Sequence, residues 1–259
     1  MKVLYFDCSS GISGNMTLGA LSELVAEPDF LQQELQKLNV PGYHLHISKT
    51  KKNGITGTYV DVHLEHEHHH DHDHHHHHHD HGHHHRNLAD VNAIIDQAQI
   101  DEEAKSLAKR IFLRVALAES KVHDEPLENV HFHEVGAVDS IVDIIGTAIL
   151  ISKIKPDKII SSVVNDGYGF IECAHGLISV PVPATSEIFA ASEVKFRQID
   201  IDTELVTPTG AAIIAELAQS FGIMPAMKVS KIGWGCGSKD LKIPNVLKVL
   251  LGTIDEPSL

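Results

Sequence analysis

The segment from His63 to His85, HLEHEHHHDHDHHHHHHDHGHHH, constrains the fold of this chain more than any other feature, because it has almost nothing to bury. Sixteen of the chain's 22 histidines lie in it, separated mainly by Glu65, Glu67, Asp71, Asp73 and Asp80. A stretch of this kind cannot offset the entropy of ordering its backbone, so residues 63–86 are expected to form a disordered, solvated loop. The loop interrupts what reads as one compact globular domain and separates residues 1–62 from 86–259. His74 to His79 mimics a purification tag, but its internal position and the interspersed aspartates argue against that origin.

Neutral imidazole suits nickel, copper, zinc and cobalt, and neighbouring carboxylates add charge neutralisation. The candidate metal ligands in the run are His68, His69, His70, His72, His74, His75, His76, His77, His78, His79, His81, His83, His84 and His85. A flexible chain of imidazoles binds several divalent ions loosely and selects none. Its affinity should fall steeply below the ordinary imidazole pKa of about 6.5, since the protonated ring cannot ligate. The plainer explanation is a linker with incidental metal affinity.

The chain of 259 residues holds 21 basic against 35 acidic side chains, a formal charge of −14 with histidine neutral. No basic patch is available to neutralise phosphates, which argues against a nucleic-acid partner. No run reaches the ~18 apolar residues of a membrane span, and Met1-Lys2-Val3 leads straight into a strand-like segment rather than a signal peptide. Cys8, Cys173 and Cys236 are odd in number and lack CxxC spacing, so they read as free thiols in a reducing cytoplasm.

Apolar periodicity predicts helices over about 16–26, after Pro28-Asp29, over 88–99, 101–122, 140–153, 186–191 and 209–221. Strands are expected over 2–6, 43–48, 56–64, 158–164 and 194–201. A final pair over 227–233 and 245–251 would be joined by the glycine-rich Gly233 to Gly237. Residues 131–135 read as a short strand or extended turn. The fold class is mixed α and β (α+β), with the sheet topology open.

Four stretches carry residues suited to chemistry. In VHFHEVGAVDSIVDI, an extended segment would project His131 and His133 from one face. Asp139 and Asp143, four apart, would be neighbours on a helix. Two imidazoles and up to three carboxylates there could hold a divalent ion. Alternatively, His133, Glu134, Asp139 and Asp143 could act as general acid and base. The alternative is Asp139 as a helix cap beside a satisfied core network. In the second stretch, the small residues Ser9, Ser10, Gly11, Ser13 and Gly14 between a strand and a helix can expose N–H groups to a phosphate. This loop lacks the lysine and spacing of a Walker loop, and its buried Cys8 is more readily inert than nucleophilic. In the third, ELVTPTGAA, Thr207 or Thr209 can cap a helix while Gly210 permits close approach of an anion. The fourth, from His175 through Pro181-Val182-Pro183, is extended and proline-stiffened.

Taken in this order, FDCSSGISGNMTLGAL, HFHEVGAVDSIVDI, HGLISVPVPAT, ELVTPTGAA and GWGCG…PN resemble the nickel-insertion proteins of nickel-pincer nucleotide cofactor biosynthesis, the LarC family. Gly14-Asn15-Met16 departs from the family's usual Gly-Asp-Met, so one carboxylate is missing at Asn15. The resemblance implies a lyase-class, chelatase-type reaction that places Ni²⁺ into pyridinium-3,5-bisthiocarboxylic acid mononucleotide. Two nickel–sulfur bonds and one nickel–carbon bond form, and the product serves lactate racemase. It also implies dependence on CTP with Mn²⁺ or Mg²⁺, held by a C-terminal half that lies outside this chain and is an expected partner. A homo-oligomer is the expected assembly, with the lactate racemase apoprotein as a further partner. Two readings stand beside this one: a nickel or zinc metallochaperone or buffer without chemistry, and a nucleotide-binding enzyme of unrelated reaction.

Overall fold

The computed structural model describes residues 1–64, 86–130, 132, 138–173 and 176–255. In chain order the strands and helices are β1 (Lys2–Asp7), α1 (Gly14–Val25), α2 (Phe30–Gln36), β2 (Tyr43–Lys52), β3 (Ile55–Leu64), α3 (Leu88–Gln97), α4 (Glu102–His123) and α5 (Val138–Ile154). There follow β4 (Lys158–Ser161), β5 (Val164–Asp166), β6 (Phe170–Cys173), β7 (Gly176–Ser179), α6 (Pro183–Ala190), β8 (Phe196–Gln198), α7 (Pro208–Leu217), β9 (Ser220–Phe221), β10 (Lys228–Cys236) and β11 (Val246–Thr253).

Seven strands make one mixed sheet in the order β2-β3-β10-β11-β1-β4-β9. β1 runs antiparallel to β11, with Leu4 opposite Leu251 and Phe6 opposite Val249, and parallel to β4. Strand alternation then sorts the two faces. Leu4, Phe6, Leu247, Val249 and Leu251 enter the main core, whereas Val3, Tyr5, Ile160 and Leu250 form a small cluster on the other face. Burying each such aliphatic side chain is worth about 1.5–3 kcal/mol.

α1 lies against this sheet at close range, and the glycines of the Gly233-Trp234-Gly235 segment explain how. A Cβ on Gly235 would meet the Met16 carbonyl oxygen at 1.7 Å, and one on Gly233 would meet that of Ala20 at 1.9 Å. The glycine-rich stretch expected to connect two strands is therefore mostly inside β10, where missing side chains admit a helix backbone. α5, buried along nearly its whole length, fills the space between α1 and α4, with Gly146 facing Leu18.

Two further expectations change in detail. The apolar run 158–164 is two strands, because the chain leaves the main sheet after Ser161 and Val164–Asp166 pairs instead with Phe196–Gln198. The helix expected over 209–221 ends at Leu217. Gln219 then bonds both ways to Ile159, accepting from its N–H at 2.6 Å and donating to its carbonyl at 3.0 Å, and draws the chain onto the sheet edge as β9. β3 pairs with β10 in the ladder at one position, Thr58 with Gly235, whereas β2 and β3 pair along their whole length as a ribbon. Among the described residues no helix is long and apolar enough to cross a membrane.

Candidate functional site

Three helices begin at one cavity. Ser13, Gly14 and Asn15 open α1, Asp139, Ser140 and Asp143 open α5, and Thr207, Pro208 and Thr209 open α7. Together with Val60, Asp61 and Val62 of β3 and with Glu204 they line a space of about 310 Å³. Each helix start presents backbone N–H groups and the positive end of a dipole.

Local bonding holds these ends in place. Ser13, in extended conformation, caps α1 by accepting from the Met16 N–H at 3.5 Å and donates its own hydroxyl to Asn15 Oδ1 at 2.6 Å. Thr207 caps α7 by accepting from the Gly210 N–H at 3.1 Å. The two caps are tied together, since Ile12 N–H donates to the Leu205 carbonyl at 3.0 Å and Thr207 N–H to that of Ile12 at 3.2 Å. Gly11 and Gly210 serve this crossing rather than a ligand. Gly11 has φ +82° and a Cβ there would meet the Leu205 oxygen at 2.1 Å, while one on Gly210 would meet the Ile12 oxygen at the same distance.

Asp166 fixes the crossing from beneath. Its Oδ1 accepts from the N–H groups of Gly167 at 2.8 Å, Leu205 at 2.9 Å and Val206 at 3.1 Å. Oδ2 is buried without a partner, and burial outweighs these bonds to raise the carboxyl above its ordinary pKa.

Of the candidate acid–base residues, Asp139 and Asp143 face the cavity. Asp139 is exposed and accepts from the Ser140 N–H at 2.8 Å, so it also takes up a free donor of the first turn. Asp143, one turn further in, has an Oδ1 that is buried with no hydrogen-bond partner. Burial, and then the charge of Asp139, hold its carboxyl well above the usual range. His131, His133, Glu134, His175 and the run from His68 to His85 lie outside the described residues. Phe132, between two of them, is buried against Phe112 with ring centres 6.1 Å apart, and its N–H donates to the Arg86 carbonyl at 3.0 Å. Arg86 directly follows the histidine run, and Val62 of the cavity wall stands just before it. One flank of the run thus belongs to the cavity wall, and the other is bonded to Phe132 in the core.

Of the phosphate-loop candidates, Ser13, Gly14, Thr207 and Thr209 line the cavity, whereas Ser9, Ser10, Gly11 and Gly210 do not. Ser9 donates its hydroxyl to Asp7 instead. Cys8 is fully buried, and loss of hydration pushes its thiol up to about 12 despite contact with Ser161 Oγ at 3.6 Å. Asp61 and Glu204 were not singled out from the sequence. Asp61 reads there as an ordinary outward position of an alternating strand, and Glu204 as the lead-in to a helix cap. Among the described residues no group of three or more His, Cys, Asp or Glu stands arranged to hold a metal ion.

Comparison with known proteins adds a family context. A family model described as "Nickel insertion protein" matches residues 4–258. A relative in Acetivibrio thermocellus is 46% identical over 256 residues, covering 99% of this chain and 61% of its own length. One in Clostridium kluyveri is 46% identical over 253 residues, covering 97% and 62%. One in Geobacillus kaustophilus is 46% identical over 253 residues, covering 97% and 60%. All three are named pyridinium-3,5-bisthiocarboxylic acid mononucleotide nickel insertion protein. The chain spans about three-fifths of the length of these relatives. No solved structure matches the chain.

Proposed function

This chain belongs to the nickel insertion protein family, and from that premise we propose that its cavity seats pyridinium-3,5-bisthiocarboxylic acid mononucleotide while nickel is inserted. The observation that carries the reading is the buried, unpartnered Asp143 Oδ1 in a space where three helices begin. The mononucleotide phosphate is assigned to the ends of α1 and α7, where Ser13, Gly14, Asn15, Thr207 and Thr209 offer N–H and side-chain donors. Ni²⁺, the metal substrate, enters on the carboxylate side between Asp139, Asp143 and Glu204. His131 and His133 are assigned to the same nickel path.

Insertion joins nickel to two thiocarboxylate sulfurs and one ring carbon, and that carbon must release its proton. A carboxylate shielded from water and held above the ordinary range is a stronger base at neutral pH than an exposed one, which gives Asp143 the proton. The balance is Ni²⁺ in, three nickel bonds formed, one C–H bond broken and one proton released. His133 and Glu134 remain candidates to carry that proton onward.

CTP with Mn²⁺ or Mg²⁺ does not fit this cavity. Its described lining has four carboxylates and no lysine or arginine, an unsuitable surround for a triphosphate. We assign CTP to the C-terminal half that the resemblance implies, which would make that half a partner of this chain. Lactate racemase is the acceptor of the product. The cytoplasm is the proposed location, in keeping with three free thiols.

The test is reconstitution of nickel insertion from this chain, the C-terminal half, CTP and Mn²⁺, with the product followed by mass spectrometry. Asp143→Ala is expected to lower the rate by about 100-fold or more, the contribution typical of a positioned base. Insertion at the wild-type rate would remove Asp143 from the chemistry and overturn this reading.

A further inference from the structure

Three histidines among the described residues, His44, His46 and His63 (the last at the head of the run), meet on one face of the β2–β3 ribbon. The ladder sets His44 opposite His63 and His46 opposite Asp61. Leu45, Ile47 and Val62, at the intervening positions, pack toward the core, so the three imidazoles and Asp61 share the opposite face. The rings of His44 and His63 are stacked, 5.3 Å between centres and 7° from parallel. His46 meets His63 edge-on at 5.9 Å. His63 Nε2 lies 3.0 Å from Asp61 Oδ2. His44 and His46 are exposed, and none of the three imidazoles belongs to the apolar core.

We propose that His44, His46 and His63 form a three-imidazole site for a divalent cation on this ribbon. Two histidines two apart on one strand, with a third from its neighbour, supply a His₃ set that leaves further positions open for an incoming or departing ligand. The two measured spacings lie slightly wider than those of one shared ion. Metal–nitrogen bonds of about 2.0–2.1 Å, plus ~1.1 Å from nitrogen to ring centre, put ring centres about 4.5–5.2 Å apart for angles between square and tetrahedral. The His44–His63 spacing lies just beyond that range, and His46 must approach His63 by about 0.7 Å. The remaining change is ring rotation, because the nitrogens do not yet converge. Exposed side chains exchange rotamers in ~ps–ns, so assembly needs no backbone movement. Asp61 plays the outer role. It accepts from Nε2 of His63, fixes the ring and its tautomer, and leaves Nδ1 for the metal.

The place of the site gives it a use. Asp61 is also a wall residue of the cavity, and the histidine run begins at His63. An ion held here sits on the strand that carries a cavity-wall residue and leads in sequence into the run, which makes the ribbon a handover station. The choice of nickel rests on the proposed function, whereas the imidazole set does not.

Histidine footprinting of the full chain tests this, with diethyl pyrocarbonate as reagent and free Ni²⁺ fixed by a metal buffer so that the run cannot deplete it. The tryptic peptide Leu38–Lys49 carries His44 and His46 and none of the run. Nickel is expected to protect both residues with one common midpoint. His63→Gln should raise that midpoint by roughly tenfold or more, and Asp61→Asn should raise it less. Independent midpoints for His44 and His46, protection unchanged in His63→Gln, or no protection at all would each overturn the proposal. Circular dichroism of each variant confirms that the chain is folded. Common protection alongside wild-type insertion by Asp143→Ala would sustain this site and remove the catalytic reading. Loss of protection with insertion still dependent on Asp143 would do the reverse.

Discussion

No atom fits between Gly14 and Asp143: a Cβ on Gly14 would stand 2.2 Å from Asp143 Oδ2 and 2.6 Å from its Cβ. The first residue of α1 is therefore matched to a carboxylate on α5, and the absence of a side chain is what lets that carboxylate reach the cavity. Gly14→Ala is expected to displace Asp143 and to cost about 1–3 kcal/mol through overpacking. Thermal melting would give the stability change, and reconstituted insertion should fall further than the folded fraction accounts for.

Asp143 sets a pH dependence whose sign follows from its environment. Burial and Asp139 raise its folded pKa above the unfolded value of 3.8, so between the two the folded state holds the extra proton. Stability contributed by that proton is present near pH 4 and is lost as pH rises through the folded value. Asp143→Asn removes the buried charge. The variant should melt higher than wild type at about pH 7, and the difference should close as the pH approaches 4, as scanning calorimetry across that range would read.

Asp166 separates the loss of an acceptor from the loss of a charge. Alanine there leaves three N–H groups without their acceptor, at about 1–3 kcal/mol for each that stays buried. Asparagine keeps the accepting oxygen. Chemical denaturation should place Asp166→Ala at least ~2 kcal/mol below Asp166→Asn, because only the alanine variant unpins the Leu205–Val206 segment.

The thiols should divide by burial. Cys8 and Cys236 are buried, and loss of hydration raises both, Cys8 to about 12. Cys173 is partly exposed. One fast-reacting thiol is expected with an aromatic disulfide reagent at pH 8, traced to Cys173 by peptide mapping, with the other two released on denaturation. Cys8→Ala should retain insertion, and rapid native labelling of Cys8 would contradict the packing.

Much of this was legible because one periodicity dominated each long element. Residues 102–123 and 138–154 carry apolar side chains at helical spacing, and Asp139 with Asp143 emerged as neighbours from the helix repeat alone. Misreadings came where a local signal had a tertiary cause. Gly233 and Gly235 suggest a loop, yet they are strand positions cleared for α1. The strand-like stretch through Val164 conceals a change of sheet at Ser161 and Ser162, where the Cys8 N–H donates to Ser162 Oγ at 2.9 Å. Asp61 and Glu204 join Asp139 across long stretches of chain, and no spacing rule reaches that far. The ring contacts among His44, His46 and His63 likewise depend on strand register, which turn and packing geometry decide.

The place of β11 between β10 and β1, in the middle of the sheet, governs the order of events on the ribosome. Until residue 253 has emerged, β1 lacks its antiparallel neighbour and α1 lacks the platform of β10 and β11. The histidine-rich segment is translated more than 160 residues earlier, so it leaves the ribosome well before the strands that complete the sheet. At roughly 5–20 residues per second, synthesis of the intervening chain sets that interval.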